Sequence, residues 1–185
     1  MDPSPTGFTV VMTPAVRLLE VEGVVFGVHE YERGEERRDF GREAADALGL
    51  DPDQVFKTLL VDVEGVDHAA PSGLGRGPAA HAPVTSTVCV IVPVSCMVSM
   101  KGVAAAVGAK RATMCDPADA ERSTGYVVGG ISPFGQRRRL TTVCDESVEL
   151  FETVYVSGGR RGMDVSVAPA DLVRLLDAAV APITS

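Results

Sequence analysis

The chain has 185 residues, 45% of them hydrophobic, and a formal net charge of −8. That length fits one domain with a substantial buried core. No apolar run approaches the roughly 18 residues of a membrane-spanning helix, and the first residues lack the pattern of a signal peptide. We therefore expect a soluble cytoplasmic protein. Its acidic balance argues against a broad nucleic-acid-binding face, because such faces are usually basic.

The first third of the chain alternates helical and extended patterns. Residues 1–12 contain Pro, Ser and Gly and are expected to be flexible. Thr13 as N-cap, with Pro14 at the first helical position, predicts a helix over about 14–22. A strand over 24–31 and a helix over 42–48 follow. A helical turn then begins at Asp51 and leads Lys57 into a strand over 57–63.

Residues 65–85 change abruptly to an Ala-, Gly- and Pro-rich composition without core periodicity. We interpret residues 67–85 as a flexible surface insertion in a single domain that spans residues 13–183. Such an insertion costs little stability, because the entropy of loop closure grows only logarithmically with loop length.

The remaining chain mixes strands and helices without a strict βαβ alternation. The patterns predict strands over 87–94, 125–128, 140–143, 153–156 and 164–167, and helices over 100–107, 117–122 and 169–179. This order indicates an α/β fold of the α+β-like kind, with a mixed sheet.

The most informative segment is residues 125–140, GYVVGGISPFGQRRRL, which ends in three arginines. Glycine permits positive φ and lets a ligand approach the backbone closely. We therefore expect Gly129 and Gly130 to offer bare N–H groups beside positive charge. This suits an oxyanion or a phosphate, and a glycine-rich tight turn without a ligand is the alternative.

Other residues with catalytic potential are few. The four cysteines lack CxxC spacing and are expected to be free thiols. His29 would be the base of a Ser-His-Asp hydrolase, but no obvious nucleophile accompanies it. Lys57 is one of three lysines and stands between Phe56 and an apolar run. Its side chain either extends to solvent or is a placed functional ammonium.

Five motifs occur in a fixed order: TPAV at 13–16, VFKTLLV at 55–61, RSTGY at 122–126, GGISPFGQRRR at 129–139 and YVSGGRRG at 155–162. In this order and spacing, the chain resembles the YbaK/EbsC family of aminoacyl-tRNA deacylases over about residues 12–183. The resemblance is to the YbaK branch, which clears Cys-tRNA(Pro) and is related to the editing domain of some prolyl-tRNA synthetases. It implies a mixed, partly closed β-sheet surrounded by helices.

The resemblance also implies a site without metal or cofactor. Its catalytic residues would be Lys57, Gly129 and Gly130, of which Lys57 and the Gly129 N–H stabilise developing negative charge. The residues implied to bind substrate are Tyr31, Phe40, Thr58, Ser157 and Asp164. From the residues alone, the last four are ordinary structural positions.

The missing triad fits the reaction that the resemblance implies. The thiol of the substrate cysteine attacks its own carbonyl, which releases tRNA and a cyclic thioester, and alanine and proline carry no such thiol. The alternatives are an Ala-tRNA(Pro) deacylase and a non-catalytic module that binds tRNA or a synthetase.

The expected partners are the acceptor end of tRNA(Pro) carrying cysteine, and prolyl-tRNA synthetase. Neither DNA nor a membrane is an expected partner. The arginines of the last two glycine-rich motifs either form a basic rim for the acceptor end or are simply solvated. They are Arg137, Arg138, Arg139, Arg160 and Arg161.

Overall fold

The computed structural model describes residues 11–32, 40–65 and 85–185. Within these residues the helices are α1 (Pro14–Val21), α2 (Phe40–Leu48), α3 (Met100–Ala106), α4 (Pro117–Thr124) and α5 (Pro169–Leu176). The strands are β1 (Phe26–Glu30), β2 (Val55–Glu64), β3 (Thr85–Pro93), β4 (Arg111–Met114), β5 (Thr141–Asp145), β6 (Val154–Arg160), β7 (Met163–Val167) and β8 (Ala179–Ala181). A 3-10 helix spans Glu146–Leu150. Except for Val11, Met12 and Thr85, the expected flexible N-terminus and insertion lie outside the described residues.

The strands form one mixed sheet in the order β1-β7-β6-β2-β3-β5-β8, and β4 pairs with β2 off this path. Neighbours β2 and β3 are antiparallel, whereas β2 is parallel to β6 and β3 is parallel to β5. The predicted α/β class with a mixed sheet is confirmed.

Both faces of the sheet centre are buried, as successive residues of β3 show. Cys89 and Ile91 belong to one cluster of buried apolar residues, which includes Leu19 of α1. Val90 belongs to another cluster, which includes Val103 of α3. Because side chains alternate between the faces of a strand, α1 and α3 pack on opposite faces of the sheet.

Local capping signals predicted the helix starts well. Thr13 Oγ1 accepts a hydrogen bond from Val16 N at 3.2 Å, and Ser99 Oγ accepts one from Gly102 N at 3.1 Å. Pro14 stands at the first position of α1. Each oxygen satisfies a backbone N–H that the first helical turn leaves without a partner.

The predicted strand over 125–128 is wrong. Gly125 is the C-cap of α4 with φ 79°, and the chain then turns instead of extending. The hydroxyl of the buried Tyr126 donates to Phe134 O at 2.8 Å, so the glycine-rich segment closes on itself as a loop. The helical turn predicted at Asp51 is a simple turn, and β2 begins two residues before Lys57.

Two strands, β6 and β4, pair with different parts of the same edge of β2 and leave a gap between them, which we call the split. β3 pairs along nearly the whole of one edge of β2. On the other edge, β6 pairs only with Val55 and Phe56, and β4 pairs only with residues 61–64. The sheet is therefore open on that edge over residues 57–59, between the diverging strands β6 and β4.

Candidate active site

A cavity of about 310 Å³ occupies the split. Its walls come from β2, from α2, from the end of β4 with the start of α4, from the glycine-rich loop, and from β6 and β7. The lining residues are Tyr31, Phe40, Gly41, Ala44, Val55, Phe56, Lys57, Thr58, Leu59, Leu60, Met114, Cys115, Pro117, Ala120, Val128, Gly129, Ile131, Ser157 and Asp164.

The structure brings together all but one of the eight site residues expected from the sequence. Those that line the cavity are Tyr31, Phe40, Lys57, Thr58, Gly129, Ser157 and Asp164. Gly130 does not line it. The expectation that Gly130 offers a bare N–H is wrong, because this N–H donates to Val127 O at 2.9 Å.

Gly130 instead joins the two glycine-rich motifs by close backbone contact. A Cβ on Gly130 would lie 2.8 Å from Arg161 N, so only glycine lets the two loops touch there. This contact holds the Gly129 loop against the turn between β6 and β7.

Gly129 has a backbone conformation and a neighbour that both require glycine. Its φ is 84°, and a Cβ there would lie 2.9 Å from carbon atoms of the Phe40 ring. Phe40 therefore packs directly on this glycine. No described residue accepts a hydrogen bond from the Gly129 N–H.

Lys57 is held at the cavity by the chain segment after β3. Its Nζ donates to Cys96 O at 2.7 Å, and its side chain is half-buried. The carbonyl fixes the direction of the ammonium. Because Lys57 also lines the cavity, its ammonium is close enough to stabilise negative charge on a ligand bound there.

The backbone of Thr58 faces the split. Val55 O accepts from Val94 N at 2.8 Å, so Val55 faces β3, whereas Leu60 O accepts from Cys115 N at 3.0 Å, on the opposite edge. Because backbone groups alternate between the two edges of a strand, the N–H and C=O of Thr58 face the cavity side. Thr58 Oγ1 is buried and has no hydrogen-bond partner among the described residues.

Asp164 supplies a buried carboxyl on the far wall. It is 5% exposed, and burial raises its pKa to about 7 from the ordinary 3.8. Within the sheet it lies opposite Ser157 of β6 and His29 of β1. Near neutral pH this carboxyl can therefore exchange a proton or accept a hydrogen bond in either state.

His29 does contact a serine, although the sequence offered no obvious one. Its Nε2 lies 2.9 Å from Ser166 Oγ, and its ring packs edge-on against Tyr155 at 5.2 Å. Burial lowers the pKa of His29. Neither His29 nor Ser166 lines the cavity, so the two residues are not part of a catalytic triad at this site. The spacing of two residues between Asp164 and Ser166 on β7 was the available signal for their shared face.

The apolar end of the cavity was missed by sequence reasoning. Met114, Cys115, Pro117 and Ala120 form it at the junction of β4 and α4. Burial raises the pKa of the Cys115 thiol to about 11, and Sγ lies 3.5 Å from Asp116 O. This thiol stays protonated near neutral pH and is a poor nucleophile.

Comparison with known proteins then decides the family. The model of the aminoacyl-tRNA editing domain matches residues 35–175, about three quarters of the chain. This range contains Phe40 on the cavity wall and all the lining residues of β2, the glycine-rich loop, β6 and β7. The chain belongs to the aminoacyl-tRNA editing domain family.

Individual relatives agree with this assignment. The editing domain is 28% identical over 173 residues to EbsC of Enterococcus faecalis, named as a candidate Cys-tRNA(Pro)/Cys-tRNA(Cys) deacylase, and the match covers 94% of this chain and 93% of EbsC. A crystal structure titled as a candidate trans-editing enzyme for prolyl-tRNA synthetase superposes with a TM-score of 0.71 at 22% identity, covering 94% of this chain and 99% of that one. Another solved structure, of a hypothetical protein, gives 0.72 at 20% identity, with coverage of 94% and 100%. The resemblance to the YbaK/EbsC family is thereby confirmed, and the structures show the shared fold.

The five arginines of the two glycine-rich motifs do not form one continuous rim. Arg137, Arg138 and Arg139 are exposed and do not line the cavity. Arg160 forms an ion pair with Glu30. Of these five described arginines, Arg161 contacts cavity walls, by donating from Nε to Val128 O at 2.8 Å and by lying over the Phe40 ring.

Two further features concern the described part of the editing domain. Cys89, Cys115 and Cys144 are buried free thiols, and Cys96 is a partly exposed one. None of the described helices has the length and apolar character that crossing a membrane requires.

Proposed function

We propose that this editing domain hydrolyses Cys-tRNA(Pro), with Cys-tRNA(Cys) as a further substrate to be tested. Aminoacyl-tRNA editing is the activity of the family, and the choice of cysteine rests on the likeness to the YbaK branch and to EbsC. One observation carries the mechanism. Lys57, Gly129 and Asp164 surround one cavity, and none of the described histidines lines it to activate a protein nucleophile.

The reaction needs no nucleophile from the enzyme. The cysteinyl thiol of the substrate attacks its own ester carbonyl, so a C–S bond forms, the bond to the ribose oxygen breaks, and the thiol proton ends on the departing hydroxyl. Water then opens the cyclic thioester and gives free cysteine. The enzyme orients the ester and stabilises the oxyanion, which are the two contributions that this cavity can make.

Each cavity group takes a role in this proposal. The Gly129 N–H and the Lys57 ammonium stabilise the carbonyl oxygen as it becomes negative. Thr58 C=O and the carboxylate of Asp164 accept hydrogen bonds from the substrate amino group. Tyr31, Phe40 and Ser157 complete the walls that orient the aminoacyl group and the terminal ribose.

The size of the cavity supports selection by chemistry. At about 310 Å³ it is larger than a cysteinyl group needs, so it cannot exclude alanine by volume. Apolar contacts alone distinguish a methylene by only ~1–3 kcal/mol. A reactive thiol in the substrate discriminates further, because alanine and proline have no group that could replace it.

Deacylation of Cys-tRNA(Pro), Ala-tRNA(Pro) and Pro-tRNA(Pro), measured side by side with and without prolyl-tRNA synthetase, tests the proposal. Rapid loss of cysteine with intact Pro-tRNA(Pro) is the expected result. Faster hydrolysis of Ala-tRNA(Pro) would assign the domain to alanine editing, and binding without hydrolysis of any of them would make it a binding module. A partnership with the synthetase and a cytoplasmic site of action are parts of the same proposal.

A further inference from the structure

Arg161 occupies an unusual position on the rim of the cavity. It is exposed, yet its guanidinium lies 5.2 Å from the centroid of the Phe40 ring, and its Nε donates to Val128 O at 2.8 Å. Phe40 and Val128 both line the cavity, and Val128 directly precedes Gly129. A ring and a carbonyl thus fix the plane of the guanidinium next to the proposed oxyanion donor.

Two backbone features hold Arg161 at the rim of the cavity. The register of β6 and β7 shifts between Ser157 and Arg160, which marks a bulge just before the turn. A bulge re-aims the side chains that follow it. Close contact with Gly130, where a Cβ would lie 2.8 Å from Arg161 N, holds the turn against the glycine-rich loop.

Arg161 carries a positive charge that no described carboxylate pairs with. Its neighbour Arg160 is ion-paired with Glu30, whereas Arg161 uses only Nε in a hydrogen bond within the described part of the chain. Within the described part of the chain, the two terminal nitrogens of this exposed guanidinium form no hydrogen bond and remain a planar fork of donors. Such a fork is suited to two oxygens of one phosphate, and arginine is preferred over lysine where this geometry matters.

We propose that Arg161 binds the phosphate on the 5′ side of the terminal adenosine of the substrate tRNA. This inference rests on the proposed function, because it assumes an aminoacyl ester at Gly129. The terminal ribose carries the ester on its 3′ side and this phosphate on its 5′ side, so an anion site next to Gly129 lies one ribose from the reacting carbonyl. Arg161 thereby positions the ester, and it also explains how a chain of charge −8 holds an RNA end.

The test compares 3′-cysteinyl adenosine with and without a 5′-phosphate as minimal substrates. For the wild-type protein we expect kcat/KM to be at least about tenfold higher with the phosphate, mainly through KM, since a charge-assisted hydrogen bond contributes ~1.5–3 kcal/mol. In R161Q this ratio should fall to near one, and in R161K it should be intermediate. R138Q removes an exposed arginine outside the cavity and should keep the wild-type ratio.

The contrary results are distinct. A wild-type ratio retained in R161Q, or lost equally in R138Q, would overturn the proposal. If the wild type hydrolyses neither compound, the assay with full Cys-tRNA(Pro) decides the proposed function, and binding of adenosine 5′-monophosphate and adenosine by calorimetry decides Arg161 alone. Tighter binding of the monophosphate to wild type but not to R161Q supports the site, and equal binding of both ligands by wild type contradicts it.

Discussion

Lys57 shows how one side chain acquires a function from its surroundings. The strand that carries it is open on the cavity side, and Cys96 O holds its ammonium at 2.7 Å. Other residues of β2, such as Phe56 and Val61, are fully buried in the core, whereas the Lys57 side chain is only half-buried. Its loss should therefore affect catalysis more than folding.

We expect Lys57→Ala to lower the rate of Cys-tRNA(Pro) deacylation by about 10²–10³, the usual effect of removing one oxyanion contact. Circular dichroism and the melting temperature should show a folded protein. Lys101→Ala removes an exposed lysine of α3 and serves as the control, with full activity. An unfolded Lys57→Ala protein, or one with more than about half of the activity, would contradict the assignment.

Asp164 connects the site to pH. Its pKa is raised to about 7 by burial, so the folded protein holds this proton more tightly than the unfolded chain, whose pKa is near 3.8. The free energy of unfolding therefore falls, through this group, as the pH rises from about 4 to about 7. Asp164→Asn removes the ionisable group and with it this pH-dependent fall in the free energy of unfolding.

Relative to wild type, we expect Asp164→Asn to gain roughly 3–4 kcal/mol of unfolding free energy between pH 4 and pH 8, because the pKa of the buried carboxyl is about 7 and that of the unfolded chain is near 3.8. Denaturant titrations at both pH values measure this difference. Asp177→Asn, at an exposed aspartate, should keep the wild-type pH dependence. An Asp164→Asn protein whose stability follows the wild-type pH curve would show that Asp164 ionises normally.

At the level of single residues, the sequence predicted most of the residues that line the cavity. It did not predict their hydrogen bonds or protonation. The motif match led to Lys57 and Asp164. The N–H of Gly130 is bonded to Val127 O, and the Asp164 carboxyl is desolvated by burial. Both features depend on how the loops pack in the folded chain. Capping signals have no such dependence, which is why Thr13 was assigned correctly.

Among the elements, the glycine-rich loop has the strictest local requirement. At Gly129 a side chain would combine an unfavourable φ of 84° with a contact of 2.9 Å to Phe40. Gly49 has a similar φ of 65°, but nothing lies within 4 Å of where its Cβ would be. Alanine substitutions at the two positions therefore share the backbone strain, but only the one at Gly129 also obstructs the cavity.

We expect Gly129→Ala to reduce deacylation by at least about 10², because the added Cβ meets the Phe40 ring and moves the N–H out of the position of an oxyanion donor. Both Gly129→Ala and Gly49→Ala should lose about 1–2 kcal/mol of stability through the strained φ, and Gly129→Ala should lose more because of the contact with Phe40. Gly49→Ala should keep its activity. The interpretation fails if the two variants lose activity to the same degree.

Element prediction failed where the structure is short or glycine-rich. β4 has four residues and β8 has three, too few for a recognisable alternation. The apolar residues after Gly125 resemble a strand, but the left-handed cap at Gly125 and the hydroxyl of Tyr126 turn them into a loop. Missing β4 also concealed the apolar end of the cavity.

For the whole molecule, the decisive feature is that β6 and β4 share one edge of β2. No local pattern encodes this arrangement, since β2 pairs with β4 across about 50 positions and with β6 across about 100. The order of the motifs nevertheless led to the right family and sheet type. The family resemblance thus predicted the architecture where periodicity could not.

The expectation of a single domain with an insertion leads to a prediction about residues 66–84, which lie outside the described residues. Glu64 and Thr85 are paired across β2 and β3, so the strand ends already meet. Replacing the segment by a Gly-containing turn of about three residues should change stability by about 1 kcal/mol or less and preserve deacylation. Retained stability with lost tRNA or synthetase affinity would instead make the segment a recognition element.

The central claim is that the substrate provides its own nucleophile. The most direct measurement compares the deacylation of Cys-tRNA(Pro) with that of the same tRNA carrying S-methylcysteine, at equal enzyme concentration. The cavity has room for the added methyl group, so both should bind, but only the free thiol can attack the carbonyl. We predict that methylation lowers the rate by at least about 10², a loss of ~2.7 kcal/mol in transition-state stabilisation, with little change in affinity. Comparable rates for the two substrates would contradict the account.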